Sequence, residues 1–162
     1  MSDLPVSVTT AAAAGILGSA WNAGGTAMLS LLGIPGLLSA SVPSQALAQQ
    51  WEGIYTRGKA LGPRVALISL VGYGYLAYER RSRGEPWLGY VAGAALSIGI
   101  VPFTLICMNS TNGKLLAVAS GAAKTVSETT VRELAVKWKG LNLMRSVFPL
   151  AGAIIGFWSL VG

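Results

Sequence analysis

The sequence predicts an all-α protein, a four-helix transmembrane bundle with amphipathic helical extensions, and two observations lead to this prediction. Of the 162 residues, 52% are hydrophobic and only 11% are charged, whereas soluble domains carry about 25% charged residues. Four apolar segments, at about 11–33, 60–78, 88–108 and 143–161, are long enough as helices to cross a hydrocarbon layer about 30 Å thick. We therefore expect residues 1–162 to form a single integral membrane domain.

The composition also excludes several classes of site. The chain has no histidine, which excludes histidine-ligated zinc, haem and di-iron sites as well as Ser-His-Asp triads. Cys107 is the single cysteine, so no disulfide forms within the chain, and we expect its side chain to be buried as a small hydrophobe. The net charge of +6 is typical of basic residues that flank membrane segments near lipid headgroups, and no nucleic-acid motif accompanies it.

The first apolar segment, 11–33, lies in a stretch without charges that extends from Leu4 to Trp51. It is rich in alanine, glycine and serine, which allow helix backbones to approach closely in lipid. Asn22 is the polar exception, and it should face protein rather than lipid. Its amide serves either as an interhelical hydrogen bond or as a ligand-binding group.

An amphipathic helix is predicted at Ser44–Gly58, before the second span. Its apolar stripe has the helical period and consists of Leu47, Trp51, Ile54, Tyr55 and Gly58. Trp51 and Tyr55 are one turn apart on this stripe, so we expect their rings to be neighbours. They form either an aromatic belt at the membrane interface or part of a binding site. The second span then has to begin near residue 60.

The third span, 88–108, ends in a cluster of neutral polar residues, Asn109, Ser110, Thr111 and Asn112. Pro102 should kink the span, because proline removes a backbone donor and clashes with the preceding turn. The cluster is either a polar cap on the helix end or a polar site at the mouth of the bundle. Residues 113–130 are predicted to be a polar, partly helical connection.

The last helix is predicted to begin at Thr130, because Thr130 and Glu133 match a capping box. Trp138, Asn142 and Arg145 are spaced to share one face of this helix. Two Gly-x-x-x-Gly motifs, at residues 89–93 and 152–156, predict close helix packing, and they allow a homo-oligomer as readily as packing within one chain. The arginine-rich loop at 80–83, between the second and third spans, favours a cytosolic loop and cytosolic termini.

Three motifs together resemble the fungal anthrone oxygenase family, which consists of small four-helix membrane proteins of aromatic polyketide pathways. The motifs cover most of the chain and read Trp51-x-x-x-Tyr55-x-Arg57-Gly58, Pro102-Phe103-Thr104-x-x-x-Met108-x-x-Thr111-Asn112-x-x-Leu115, and Trp138-x-x-Leu141-Asn142-x-x-Arg145-x-x-x-Pro149-Leu150-x-Gly152. The resemblance implies oxidation of an anthrone such as emodin anthrone to an anthraquinone, with dioxygen as co-substrate. It implies that the reaction needs no metal and no other cofactor. It also implies a location in the endoplasmic reticulum or in vesicles derived from it.

Cofactor-free chemistry of this kind requires an anion of the substrate to be stabilised, its flat rings to be held and water to be excluded. Arg145 suits the anionic oxygen, because its guanidinium stays charged. The expected catalytic residues are Arg145, Asn142, Asn109 and Tyr55, and the expected substrate-binding residues are Trp51, Trp138, Thr111, Asn112, Asn22 and Arg57. The base is left open between Tyr55, Glu52, water and the substrate itself.

Structural roles compete with each of these assignments. Arg145 could instead reach the membrane surface from the start of the fourth span, and Trp138 could anchor at that interface. Thr111 and Asn112 could end a helix. The competing functions are a non-catalytic membrane scaffold or accessory protein and a small transporter. A proton-coupled exporter is disfavoured, because all six acidic residues fall in loops or interfacial stretches of the predicted topology.

Overall fold

The computed structural model describes residues 5–123 and 126–162 and contains only helices and their connections within them, which confirms the all-α prediction. The α-helices are α1 (Val6–Met28), α2 (Ile34–Ser39), α3 (Ser44–Ser82), α4 (Leu88–Ile98), α5 (Ile100–Phe103), α6 (Asn109–Ala119) and α7 (Glu128–Val161). A first π-helical segment, Leu29–Gly33, joins α1 to α2, and a second, Thr104–Met108, joins α5 to α6. These elements form four long helical stretches.

Three of the four stretches are long and apolar enough to cross a membrane, namely Ser44–Ser82, Leu88–Ala119 and Glu128–Val161. They contain the predicted spans at 60–78, 88–108 and 143–161. The predicted first span, 11–33, is helical but is not among the three. Its many glycine, serine and threonine residues pack well against other helices but add little hydrophobicity.

The helices are longer than the sequence patterns indicated. The predicted amphipathic helix and the second span form one helix, α3, which continues through Pro63. The third stretch does not end at the polar cluster, because α6 carries it on to Ala119 with Ser120 as the C-cap. Thr111 and Asn112 therefore lie inside a helix and do not cap one. The predicted connection at 113–130 is partly helical, as expected, because its first residues belong to α6 and its last residues to α7. Residues 124 and 125 lie outside the described part of the chain.

The start of α7 corrects a second prediction. Thr130 is not the N-cap, because α7 already begins at Glu128. Ser127 holds the capping position instead, and its Oγ accepts a hydrogen bond from the Thr130 backbone N–H at 3.2 Å. Serine and threonine are both good N-caps, and the serine, three residues earlier in the chain, begins the helix.

Pro102 marks an irregular part of the third stretch, as predicted. Its missing N–H leaves the carbonyl of Ile98 without its helical partner, and α4 ends at Ile98. The second π-helical segment follows two residues after the proline. Cys107 lies in this segment and is exposed, so the prediction of a buried cysteine was wrong.

The chain divides into two compact units. The first contains residues 5–24, Gly62–Val101 and Ser146–Gly162. Tyr73 lies fully buried at its centre, and its hydroxyl donates to the carbonyl of Gly152 at 2.9 Å. A Cβ on Gly152 would lie 2.9 Å from the carbonyl oxygen of Gly93. Gly93 and Gly152, one from each predicted motif, therefore allow the backbones of α4 and α7 to pack in contact.

The second unit contains Gly25–Leu61 and Pro102–Arg145. Its core is aliphatic and aromatic and is built around Trp51 and Trp138, with Ile34, Met108 and Leu115 among the buried neighbours. Arg132 of α7 forms hydrogen bonds to the backbone at the end of α2. Its guanidinium donates to the carbonyls of Leu38 at 2.8 Å and Ala40 at 3.0 Å and also pairs with Glu128.

Candidate active site

Three aromatic rings form the centre of the candidate site in the second unit. Trp51 and Tyr55 lie one turn apart on α3 and stack with a centroid distance of 4.9 Å and an angle of 9°. Trp138 of α7 meets Trp51 edge to face at 5.8 Å. Both tryptophans are buried, with 0% and 2% of their surface exposed, and only Tyr55 is partly exposed. This burial rules out an aromatic belt for Trp51 and an interfacial anchor for Trp138.

The residues of the polar cluster at the start of α6 differ in burial, because some face the core and others are exposed. Asn112 is buried, and its Oδ1 accepts a hydrogen bond from the indole Nε1–H of Trp138 at 3.0 Å. Thr111 is buried beside it. Asn109, one turn earlier, is exposed. The inward half of the cluster therefore joins the aromatic core, and Asn109 does not.

Arg145 and Asn142 form the second polar group of the site. The guanidinium donates to the hydroxyl oxygen of Thr104 at 2.9 Å and to the amide oxygen of Asn142 at 2.8 Å. The amide nitrogen of Asn142, which is fully buried, donates to the carbonyl of Thr26 and to the hydroxyl of Ser30, both at 2.9 Å. Arg145 is thus held in place from two sides, and it does not extend freely toward a membrane surface.

Both π-helical segments contribute to this network. Ser30 lies in the first segment and Thr104 in the second. A π-helical turn contains an extra residue, and such turns are frequent at functional sites because they redirect side chains and backbone groups. The partners of Asn142 and Arg145 therefore come from the two places where the helices of this unit depart from α geometry.

The charge of Arg145 is not neutralised by the protein. Among the described residues, the salt bridges join Arg80 to Glu85, Arg83 to Glu79 and Arg132 to Glu128, and none involves Arg145. Its Nε is buried and has no hydrogen-bond partner. A partly buried cation without a carboxylate partner is costly, and this arrangement suits an anionic ligand.

Three other residues singled out in the sequence lie apart from this network. Arg57 is exposed, and its guanidinium donates to the carbonyl of Gly53 in its own helix. Asn22 belongs to the first unit, where its amide donates to the carbonyl of Gly62 at 3.1 Å. This bond is the interhelical role that the sequence left open for Asn22. Asn109, as noted, is exposed.

The network contains three residues whose roles the sequence did not indicate. Thr26, Ser30 and Thr104 are small hydroxyl residues within apolar helices, where serine and threonine commonly bond back to their own helix. The signal that distinguishes Thr104 is its position just after Pro102. Nothing comparable marks Thr26 or Ser30.

The remaining surfaces of the described residues offer little chemistry. In residues 5–123 and 126–162, no group of three or more histidine, cysteine, aspartate or glutamate side chains could hold a metal ion. An open groove of about 620 Å³ in the first unit is lined mainly by aliphatic side chains such as Leu67, Ile68 and Val71. The groove contains no charged residue, so the polar network of the second unit is the better candidate for catalysis.

Comparison with known proteins supplies the family. A family model described as anthrone oxygenase matches residues 51–155, well over half of the chain. The chain belongs to the anthrone oxygenase family. The matched range includes the residues of the candidate site on α3, α6 and α7, namely Trp51, Tyr55, Asn112, Trp138, Asn142 and Arg145.

Similarity to individual members of the family extends over most of the chain. An anthrone oxygenase of Aspergillus terreus is 36% identical over 82% of this chain and 87% of its own length. An anthrone oxygenase of Paecilomyces divaricatus is 30% identical over 93% of this chain and 95% of its own. A noranthrone monooxygenase of Aspergillus flavus is 35% identical over 83% of this chain and 65% of its own. No solved structure is significantly similar to the chain.

Proposed function

We propose that this protein oxidises a tricyclic polyketide anthrone to the corresponding anthraquinone with dioxygen. Relatives that cover most of the chain are anthrone oxygenases. The observation that carries the proposal is the partly buried guanidinium of Arg145, which has no carboxylate partner among the described residues and shares one face of α7 with Trp138 of the aromatic core. A flat, acidic aromatic substrate matches both features.

The proposed reaction begins with loss of a proton from the central methylene of the anthrone. The resulting anthranolate carries its negative charge on the former carbonyl oxygen and on the ring carbon, and Arg145 stabilises it. The substrate binds already ionised, so that no protein base is required. Trp51, Tyr55 and Trp138 hold the rings, and Asn142 keeps the guanidinium in position.

The anthranolate then passes an electron to dioxygen, and the two radicals combine to a hydroperoxide at the same carbon. Loss of water from the hydroperoxide forms the second carbonyl. One oxygen atom enters the quinone, and the other leaves as water with the two hydrogens of the methylene. The substrate supplies all the electrons, so the balance needs no external reductant and no cofactor. The buried amide of Asn112 lies in the same unit and is a polar group suited to orienting the oxygenated intermediates.

The proposed setting is a membrane. Three helices are long and apolar enough to cross one, and we propose that the fourth, which begins at Val6, completes a transmembrane bundle as a single domain. A hydrocarbon environment suits a hydrophobic polyketide substrate and excludes water from the hydroperoxide. The endoplasmic reticulum or vesicles derived from it, contact with membrane lipid and assembly into homo-oligomers through the glycine motifs belong to the same proposal.

Turnover by detergent-purified protein tests the proposal. Emodin anthrone is supplied with isotopically labelled dioxygen, and quinone formation, oxygen consumption and label in the product are measured against the spontaneous reaction. We expect one labelled oxygen atom in each quinone and one dioxygen consumed per turnover. Metal analysis of the same sample, and turnover after dialysis against a chelator, should show activity independent of metal. A rate no higher than the spontaneous one would refute the proposed function and favour a scaffold.

A further inference from the structure

The two buried tryptophans of the second unit differ in one respect. The indole N–H of Trp138 is satisfied by the amide oxygen of Asn112 at 3.0 Å. The indole N–H of Trp51 has no acceptor, although the side chain is fully buried. A buried donor without a partner is unusual in native proteins and is costly, because the group has lost its hydrogen bond to water. Such a donor indicates a site whose acceptor arrives with a ligand.

A second unsatisfied donor lies in the same unit. The Nε–H of Arg145 is buried and has no partner, while the other two guanidinium nitrogens bond to Thr104 and Asn142. Within the described residues these two nitrogens are the buried side-chain polar atoms without a partner. Trp138 links them, because its ring contacts Trp51 at 5.8 Å and because it shares one face of α7 with Arg145, which lies two turns further along.

We propose that Trp51 Nε1–H and Arg145 Nε–H are paired donors that bind the oxygen substituents of a planar aromatic anion. This inference rests on the proposed function and deepens it. An indole nitrogen is a donor only and cannot accept, so Trp51 recognises a carbonyl, phenolate or peroxide oxygen and rejects an unsubstituted ring edge. The several oxygen substituents of such an anion can accept from the two donors separately. Trp51 thus selects the oxygenated edge of the substrate.

The route to these donors passes Tyr55. Of the three stacked or contacting rings, Trp51 and Trp138 are buried and only Tyr55 reaches the surface. In the proposed binding mode, the ligand approaches Trp51 along the Tyr55 ring. The flat face of that ring orients a planar ligand before its oxygen meets the donors, which suits a fused tricyclic system better than a flexible one.

Substitution of Trp51 by phenylalanine tests the inference, because it keeps an aromatic ring and removes the donor. We expect kcat/KM for emodin anthrone to fall about 10- to 100-fold, as for loss of one hydrogen bond to a charged acceptor. We expect a similar weakening, measured by calorimetry, for a probe anthraquinone whose hydroxyl adjoins its carbonyl. Trp158→Phe is the matched control, because Trp158 is 66% exposed and lies in the other unit. Its activity should match the wild type.

A spectroscopic measurement on the wild-type protein gives a second test that does not depend on how well Trp51→Phe folds. The chain has five tryptophans, so nitrogen-labelled protein gives five indole N–H resonances, assigned by Trp→Phe variants. When the probe anthraquinone is added, the Trp51 resonance should move downfield, as a new hydrogen bond requires. If the Trp51 N–H instead contacts a ring face as a structural group, its resonance will not move downfield.

The outcomes separate this inference from the proposed function. Wild-type turnover with unchanged kcat/KM in Trp51→Phe, or an unshifted Trp51 resonance, would overturn the donor pair and leave the oxygenase function intact. Absence of wild-type turnover would overturn the oxygenase function. Binding of the probe anthraquinone and its effect on the Trp51 resonance would then test the donor pair without any activity measurement. Weaker binding in Trp51→Phe together with a shifted resonance would support it. Failure of the wild type to bind the probe would overturn it.

Discussion

Replacement of Arg145 by methionine examines the central feature of the candidate site. Methionine has similar length but no charge, so the change removes the hydrogen bonds to Thr104 at 2.9 Å and Asn142 at 2.8 Å together with the unpartnered Nε–H. Removal of one preorganised donor to an oxyanion costs about 10²–10³ in kcat, or roughly 3–4 kcal/mol. Because Arg145 also supplies the charge, we expect a loss of at least about this size in anthrone turnover.

The effect of this substitution on stability should be much smaller. Hydrogen bonds to a charged group contribute about 1.5–3 kcal/mol each. The variant also avoids burial of an unneutralised cation, which costs several kcal/mol. The two contributions have opposite signs and similar size, so the free energy of unfolding should change by less than about 2 kcal/mol. A large loss of activity with a nearly unchanged melting temperature is therefore the expected signature.

The assay measures oxygen consumption and quinone absorbance with the spontaneous rate subtracted. Arg64→Met is the control, because Arg64 is exposed on α3 and its replacement removes the same charge without disturbing the network. Arg145→Lys keeps the charge but loses the forked geometry, so its activity should lie between those of the wild type and Arg145→Met. If folded Arg145→Met retains activity within about threefold of the wild type, less than 1 kcal/mol, Arg145 does not stabilise the anion.

The remaining predictions concern packing and positioning. Gly72→Ala should destabilise the protein by about 1–3 kcal/mol, because the new Cβ would lie 2.6 Å and 2.7 Å from backbone atoms of α1; Gly74→Ala, with nothing within 4 Å, should be neutral or stabilising in thermal unfolding. Asn142→Leu should lower kcat about tenfold or more through a misplaced guanidinium, and normal kcat would contradict the positioning role. Trp138→Phe should be about 1–3 kcal/mol less stable than Trp51→Phe, since only Trp138 has a bonded N–H; equal melting temperatures would contradict this.

Spacing along regular helices was the most reliable signal in the sequence. Trp51 and Tyr55 are four residues apart in α3, and the expected contact between their rings is present at 4.9 Å. Asn142 and Arg145 are three apart in α7, and they share a hydrogen bond. Each pair lies within a continuous α-helix, so the 3.6-residue period holds across the pair.

Spacing was less informative for the polar cluster and for the hydroxyl partners. Asn109 was expected to be catalytic and Asn112 to bind substrate, but Asn109 is exposed and Asn112 is buried, although both lie in α6. Residues three apart differ by about 60° around an α-helix, so the edge of the buried face falls between them. Ser30 and Thr104 each lie inside a π-helical segment, where an extra residue per turn rotates side chains relative to the preceding helix. Counting at the α-helical period therefore could not place these two residues.

The extents of the helices were also difficult to predict, because hydropathy marks where a helix could meet lipid rather than where it begins or ends. α3 continues for 39 residues to Ser82, and its last turn contains Arg80 and Arg81, which were predicted to lie in a loop at 80–83. At α7, two hydroxyl residues could serve as the N-cap, and Ser127 does so. Local capping chemistry of this kind differs by about 1 kcal/mol or less between serine and threonine, so tertiary packing determines which residue begins the helix.

The two units differ in how completely their buried polar groups are hydrogen-bonded, and this difference indicates which unit contains the proposed reaction site. In the first unit, buried hydroxyls find partners, as when Tyr73 bonds to Gly152 and Ser19 to Ser97. In the second unit, Trp51 and Arg145 each bury a donor without a partner. Selection removes such defects where they serve only stability, so they persist mainly where function requires them. An oxygen-bearing anion would satisfy both donors and the uncompensated charge together, and bound ligand should therefore stabilise the second unit by an amount that rises with the logarithm of its concentration above Kd.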